Sequence, residues 1–322
     1  MFLLRLLFKK GKFVITRRNS GFGDNLISAA NVWSYAKNTE RTLVIAWVPS
    51  RYLTDKCENA FSHFFSVPET IGGVPVMVED RVDWLSAFLI NYSNIFLPFP
   101  DPLIFLYGLI HKLGFDPKHN LLTNRRSKRQ VPIDRIIVNS EESVWKVFVT
   151  NGGHFTPYGH LRPFFDALQL KPEFRKEVDD FAGKHFRNKK VIGAHIRYYG
   201  QSLPHSDHTD SWLDEAGALA SCIDKIREAA AGLEESEYIV FLCTDSGMVQ
   251  DHISRSIGNV VTYEKEFGSD GSKELHHELP VETAAAAVIE MFLLAKSDAL
   301  VRYPAWSWFS YYASLYAKEV IT

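Results

Sequence analysis

Cysteine is scarce in this chain: Cys57, Cys222 and Cys243 are the only three in 322 residues, and none forms a CxxC pair. An odd, sparse set excludes a disulfide framework and a cysteine-built zinc site, and makes a reducing compartment the default. Surplus charge is lacking too. Lys and Arg number 36 against 38 Asp and Glu, for a net charge of −2. That removes the electrostatic case for general nucleic-acid binding. The basic run Arg125-Arg126-Ser127-Lys128-Arg129 reads first as a solvated loop, and second as a contact for an acidic glycan or a membrane surface. Long hydrophobic runs are absent. The richest apolar stretch, 84–115, is broken by Asn91, Asn94, Pro98, Pro100 and Asp101, which excludes a membrane-spanning helix there. There is no internal repeat, no low-complexity segment and no clear DxD for a divalent ion.

The N-terminal MFLLRLLFKK is apolar and basic, too short to span a bilayer, and no small-residue cleavage site follows it. It reads as an extra strand or an amphipathic helix on the body, with a peripheral membrane contact as the sharper alternative. The expected place is the cytoplasm, or the inner face of the membrane if that alternative holds.

What is present is a series of apolar runs separated by amphipathic stretches. The length suits two domains of about 150 residues each. Residues 13–16 and 42–47 read as strands flanking a helix over 25–37, with Gly21-Phe22-Gly23-Asp24 as the first turn. Short runs at 74–79, 94–97 and 135–138 suggest further strands. Residues 151–172, rich in Gly, Pro and aromatics, suit a hinge or cleft. After a charged helix over 172–186, a second series begins. It runs strand 191–197, helix 211–231, strand 238–243, helix 246–256, short strand 260–263, helix 281–296, strand 298–302 and helix 306–318. Alternation of this kind implies parallel sheets with helices on both faces. The expected fold is α/β, with two Rossmann-like domains, 1–170 and 171–322, facing across a cleft that holds the active site.

The second series carries the chemistry. VIGAHIR (191–197) ends in His195 and Arg197, and YIVFLCTD (238–245) ends in Thr244 and Asp245. Ligands of open α/β sheets bind at the C-terminal ends of strands. Arg197 offers five fixed donors for phosphate oxygens, and His195 lies two residues back on the same face. Together they suit a nucleoside diphosphate. Glu290 sits in an almost wholly apolar helix, TAAAAVIEMFLLAKS. Buried without a partner, a carboxylate there costs several kcal/mol. It therefore either escapes to solvent or meets a fixed donor, and the adjacent N1–H and N2–H of guanine would serve.

Other residues are less pointed. Gly21, Gly23 and Asn25 end a strand and open a helix. They form either a tight turn with Asp24 as N-cap or a phosphate contact at a helix N-terminus. A dinucleotide fingerprint fails, because Leu26 replaces the third glycine and no acid follows the second strand. The loop 198–212 supplies His205, Asp207, His208 and Asp210 as a pool of bases for taking a hydroxyl proton. Its spacing is not specific for a metal, and no metal is expected. Loop 264–280, polar and glycine-containing, suits a mobile lid.

At this point the residues resemble a known family. GFGDNLISAANVWSYAKNTERTLVIAW, VIGAHIR, FLCTDS, LHHELP and EMFLLAKSDALVRYPAWSWFSYYASLYA are similar, in the same order, to blocks of the rhizobial NodZ-like α1,6-fucosyltransferases. The likeness covers about 1–60 and 170–322. It implies a GT-B-like glycosyltransferase that is inverting and metal-independent. Such an enzyme moves L-fucose from GDP-β-L-fucose to a hydroxyl, the 6-OH, of a glycan acceptor, an oligosaccharide or glycolipid. It needs no cofactor, since GDP-fucose is a substrate. By that likeness Arg197 holds the β-phosphate, and His195 and Glu290 lie at the guanosine end. Asp245 and Ser307 line the pocket, Arg302 matches the last strand, and the Gly21–Asn25 turn covers the diphosphate from the other domain. The family's glutamate base has no counterpart; Asp207 takes that place first and His205 second. Residues 84–115 are then expected on the acceptor side, in the N-terminal half. Another GDP-sugar as donor, or a non-catalytic glycan- or nucleotide-binding protein on the same fold, are the alternatives.

Overall fold

The computed structural model describes residues 2–16, 21–48, 50, 52–87, 96–97, 147–150, 161–197, 215–265, 267 and 281–321. The chain divides into two compact units. One comprises 1–20 with 24–169, and the other 21–23 with 170–322.

The first unit is built on a six-stranded sheet. Its described elements are α1 (Phe2–Phe8), β1 (Phe13–Thr16), α2 (Phe22–Asn38), β2 (Thr42–Ile45), α3 (Ala60–Phe64), β3 (Phe65–Ser66), β4 (Thr70–Ile71), β5 (Val74–Val78), β6 (Phe96–Leu97), β7 (Val147–Thr150) and α4 (Arg162–Asp166). The strand β8 (Gln169–Leu170) straddles the boundary. The sheet order is β4-β5-β2-β1-β7-β6. Its centre is parallel, β5-β2-β1-β7, while β4 and β6 add antiparallel edges. Strand β7 follows Trp145-Lys146 and was not expected from the sequence. The strand expected at 135–138 lies outside the described residues, as does most of 84–115. Of the segment 151–172, read as a hinge or cleft, residues 151–160 lie outside the described residues, and α4 follows with Pro163 in its first turn and Phe164 and Phe165 buried.

Helix α1 settles the reading of MFLLRLLFKK. Phe2, Leu3 and Leu6 are buried with Phe13, Ile15 and Val44 in one cluster. Each such side chain contributes about 1.5–3 kcal/mol by leaving water. Asp83 accepts from the Phe2 N–H (2.6 Å) and Ser86 from that of Leu3 (3.2 Å), capping the helix start. The segment is an amphipathic helix docked on the body. No helix among the described residues is long and apolar enough to cross a membrane.

Asn59 fixes the end of this sheet. Its side-chain oxygen accepts from Trp47 and Phe61 N–H (both 3.1 Å), and its amide donates to the Ile45 (2.8 Å) and Glu79 (3.0 Å) carbonyls. One buried residue thus ties β2, the segment after β5 and the start of α3.

The second unit holds α5 (Pro172–His185), β9 (Lys190–Ile196), α6 (Glu215–Ala229), β10 (Tyr238–Thr244), α7 (Gly247–Ser256), β11 (Val260–Val261), α8 (Val281–Leu294), β12 (Ala299–Tyr303), α9 (Trp308–Ser314) and β13 (Glu319–Ile321). All five strands are parallel, in the order β11-β10-β9-β12-β13. Buried on both faces, β9 and β10 read as continuous apolar runs, as parallel strands must. Alternate residues divide between the faces. Ile192, Ala194, Ile196, Val240, Leu242, Ala299 and Val301 join α6 and α7 in one core. Gly193 turns the other way, where an added Cβ would lie 2.2 Å from Ser297 Oγ. The expected helix over 306–318 stops at Ser314. Beyond it the Asp298 carbonyl accepts from Lys318 and Glu319 N–H, drawing the chain into β13.

Candidate functional site

The order of the second sheet reverses between β9 and β12, because β10 and β11 extend on one side of β9, and β12 and β13 on the other. Such a switch point opens a crevice at the strand C-termini. The register there puts Cys243, His195 and Arg302 side by side on β10, β9 and β12. By strand alternation all three turn away from the α6–α7 core, toward α8 and α9.

His195 is 4% exposed and stacks on Phe309 of α9, with ring centroids 5.1 Å apart and planes at 25°. Burial holds its pKa well below the ordinary 6.5, and the Arg197, Arg302 and Lys265 charges push the same way. The imidazole is therefore neutral at physiological pH, able to donate from one nitrogen and accept at the other. Its Nδ1 is buried without a hydrogen-bond partner among the described residues, and so is the hydroxyl of Ser307. Buried polar atoms normally find partners, so this pair marks a place suited to a polar ligand.

Arg302 is turned onto α9. Its Nε donates to Ser310 Oγ (3.0 Å) and its terminal nitrogen to the Ser307 carbonyl (2.9 Å), while burial lowers its pKa. In this structure it braces the turn that carries Ser307 and Phe309. Thr244 is likewise engaged, its hydroxyl accepting from the Ser246 N–H at 3.3 Å. Ser246 in turn caps α7 by accepting from Val249 N–H.

Arg197 follows β9, its N–H bonded to the Tyr303 carbonyl (2.8 Å). Its guanidinium lies 3.8 Å from the Asp245 carboxylate, both about one-fifth exposed. The side chains proposed from two different strand ends are thus neighbours.

Glu290 does meet a fixed donor, and it is protein. Lys265 Nζ lies 2.7 Å from both carboxylate oxygens, in a pair whose side chains are 11% and 3% exposed. The Cys243 thiol also donates to the carboxylate. Burial pushes the Glu290 carboxyl above its ordinary value, against the pull of Lys265. Burial opposes the Lys265 charge, but Glu290 outweighs it and holds the ammonium above 10.5. Burial and the Glu290 charge push the Cys243 thiol well up, so it is inert as a nucleophile. Lys265 was missed in the sequence, where it sits in the polar string EKEF of the expected lid. Here it is buried, with Nζ 5.5 Å from the Phe267 ring centre. The signal that pointed to it was Glu290 itself, a carboxylate in need of a cation. Phe309 was missed as well, since nothing marks one aromatic among many as a stacking partner.

Of the two readings of the glycine turn, the one with Asp24 as N-cap fails. Helix α2 begins at Phe22, so Asp24 lies inside the first turn and is not its N-cap. A Cβ at Gly23 would sit 2.4 Å from the Phe309 nitrogen and 2.5 Å from the Trp308 carbonyl oxygen. Protein backbone alone therefore requires the glycine. Gly21 to Gly23 group with the second unit, and Asp24 and Asn25 with the first. Asn25 is buried. Asp207 and His205 lie outside the described residues, and with them His208, Asp210, His276 and His277. Among the described residues no group of three or more His, Cys, Asp or Glu is placed to hold a metal.

This arrangement can bind an anion and a hydrogen-bonding base. Arg197 supplies charge at the strand ends, and neutral His195, Ser307 and the Lys265–Glu290 pair supply directed donors and acceptors. Comparisons with known proteins place the chain among relatives. The family described as Nodulation protein Z (NodZ) matches residues 10–96 and 159–322. Nodulation protein Z of Bradyrhizobium diazoefficiens is 32% identical over 317 residues, covering 96% of this chain and 80% of the relative. The crystal structure of fucosyltransferase NodZ from Bradyrhizobium superposes with a TM-score of 0.71 at 30% identity, over 97% of this chain and 95% of that one. A NodZ α1,6-fucosyltransferase crystal soaked with GDP-fucose gives 0.69 at 30% identity, over 97% and 94%. The α/β class with parallel sheets is shared with these enzymes. A family match over most of the chain, with a fold that agrees with it, makes this protein a member of the NodZ family.

Proposed function

We propose that this protein transfers L-fucose from GDP-fucose to the 6-hydroxyl of a glycan acceptor, by an inverting reaction that uses no metal. The observation that carries the reading is the row at the switch point. Arg197 with Asp245, neutral His195, and Lys265 with Glu290 converge on the strand ends of β9 and β10. The relative soaked with GDP-fucose shares the fold over nearly the whole chain. Arg197 stabilises the charge that grows on the β-phosphate as GDP departs, a contact stronger in the transition state than in the ground state. Glu290 and His195 hold the guanosine end, and Asp245 and Ser307 line the pocket between base and phosphate. A base in the 198–212 loop, Asp207 first and His205 second, takes the acceptor proton while the hydroxyl attacks from the face opposite GDP. The 1–170 half receives the acceptor, an oligosaccharide or glycolipid at the inner face of the membrane.

The test is calorimetric titration with GDP, GDP-fucose, GDP-mannose and UDP in EDTA, followed by donor hydrolysis. Metal-free binding of GDP and GDP-fucose, with fucose release, is the expected result. Preference for GDP-mannose would assign another GDP-sugar as donor. GDP binding with no turnover of any donor would make the protein a non-catalytic binder. Failure to bind GDP at all would sink the proposal.

A further inference from the structure

The Lys265–Glu290 pair has a feature that neither charge has alone. An ammonium carries three N–H donors, and two of Lys265's reach the two Glu290 oxygens at 2.7 Å. The third N–H makes no hydrogen bond among the described residues. An acceptor couple and a donor therefore stand side by side, both largely shielded from water. Guanine presents the complement: O6 as acceptor, then N1–H and N2–H as donors in one row. Adenine offers a donor where guanine has O6, and no N–H at N1. Uracil has one N–H between two acceptors.

We propose that Lys265 is a specificity-determining residue for the donor's base. Its ammonium donates to guanine O6 and keeps Glu290 ionised to accept from N1–H and N2–H. This inference rests on the guanosine assignment made under Proposed function. The physical argument has two parts. A carboxylate buried on the apolar helix α8 takes up a proton once its counter-ion is removed, and a protonated carboxyl confronts the base N–H groups with a donor of its own. An enclosed site built to pair with several polar atoms also rejects bases that leave its own groups unpaired.

Among the described residues, the groups that bear on Glu290 are few. Lys265 and Tyr263 come from the segment after β11, and Cys243 and Asp245 from β10 and its end. Tyr263 donates to Glu177 of α5, and burial with that contact pushes its pKa up, so it stays neutral. Helix α9 brings Tyr312 against Phe292 of α8, and β9 brings neutral His195. Lys265 is thus the cation in direct contact with the carboxylate among the described residues.

The experiment measures affinity for GDP, inosine diphosphate (which lacks the N2 amine) and ADP at pH 6, 7 and 8. The proteins are the wild type, Lys265→Met, Lys265→Arg, Glu290→Gln and the double variant Lys265→Met/Glu290→Gln. The wild type should bind GDP about tenfold tighter than inosine diphosphate, and about a hundredfold tighter than ADP. Lys265→Met should lose about tenfold or more for GDP, with the smallest loss at the highest pH, because loss of the proton restores the Glu290 charge. Lys265→Arg should retain most of the affinity. If Lys265→Met binds GDP like the wild type at every pH while Glu290→Gln is weakened, the Lys265 role is wrong and the guanosine assignment stands. If Glu290→Gln binds GDP like the wild type, the guanosine assignment fails and takes this inference with it. Should Lys265→Met not fold, the double variant removes both charges and is compared with Glu290→Gln. Weaker GDP binding by the double supports the O6 contact, and equal binding overturns it.

Discussion

Helices α2 and α8 are both buried, and they bury different chemistry. Along α2, Asn25, Ser28, Asn31 and Ser34 recur every third residue, all less than a tenth exposed and all uncharged. Among its described side chains helix α8 buries one polar group, and it is ionic: Glu290, matched by Lys265. The sheets beneath repeat the contrast. In the first unit β2 runs into Ala46 and Trp47, β5 runs into Glu79, whose side chain pairs with Arg5 at the surface, and Asn59 closes the edge with neutral hydrogen bonds. In the second, β9 and β10 run into Arg197 and Asp245. Two parallel sheets of similar build thus differ in what they can do, because a fold supplies positions and side chains at strand ends supply chemistry.

Five substitutions or conditions test that contrast. Arg197→Ala should lower kcat/KM for donor turnover by a hundredfold or more, an effect of about 3 kcal/mol, with little change in melting temperature. A near-normal rate would erase the distinction between the sheets. Asn59→Ala should do the reverse. Losing four hydrogen bonds at a buried edge should cost about 2–3 kcal/mol of stability and leave GDP affinity unchanged, as read by denaturant unfolding and titration. A loss of GDP affinity in the folded variant would tie the two regions together.

The third test is pH. His195 is held neutral in the folded protein, well below the 6.5 of the unfolded chain. Its contribution is complete above about pH 6.5 and is lost as pH falls below that value, because only the unfolded chain takes up the proton. Stability should therefore decline by up to about 1.4 kcal/mol per pH unit from this group between pH 6.5 and its folded pKa. Thermal unfolding of His195→Asn beside the wild type from pH 7 to 5 should show a shallower decline in the variant. Parallel curves would mean that His195 titrates freely. The smallest effect is expected at Gly183, inside α5, where an added Cβ meets nothing within 4 Å. Gly183→Ala should stabilise by about 0.5–1 kcal/mol without touching activity. Gly23→Ala, made as its opposite, should destabilise, because Trp308 and Phe309 backbone stands in the way.

Much of the second unit was legible because its strands are long and apolar on both faces. VIGAHIR and YIVFLC stand out as β9 and β10, and alternating helical patterns mark what lies between. The short strands were harder. β13 is three residues held by the Asp298 carbonyl, so its cause lies twenty residues away in the sequence. β7 offers only VFVT, a run too short to separate from a buried helical turn. At the site, His195, Arg197, Asp245 and Glu290 could be picked out as polar residues in apolar surroundings. Thr244 was picked out for its place at a strand end and Arg302 from the family likeness, and both hold the turns beside them.

The sequence by itself determined the α/β alternation, the strands that end in charge and the presence of one carboxylate that must find a partner. Those are local properties, set by periodicity and by the cost of burying a polar group. Tertiary structure alone decided who meets whom. Register aligned His195 with Arg302, the packing of α9 laid Phe309 on the imidazole, and the chain beyond β11 brought Lys265 back to Glu290. Lys265 and Glu290 are twenty-five residues apart. Only packing against the same sheet brings such distant groups to 2.7 Å, and no local pattern in the chain encodes that distance.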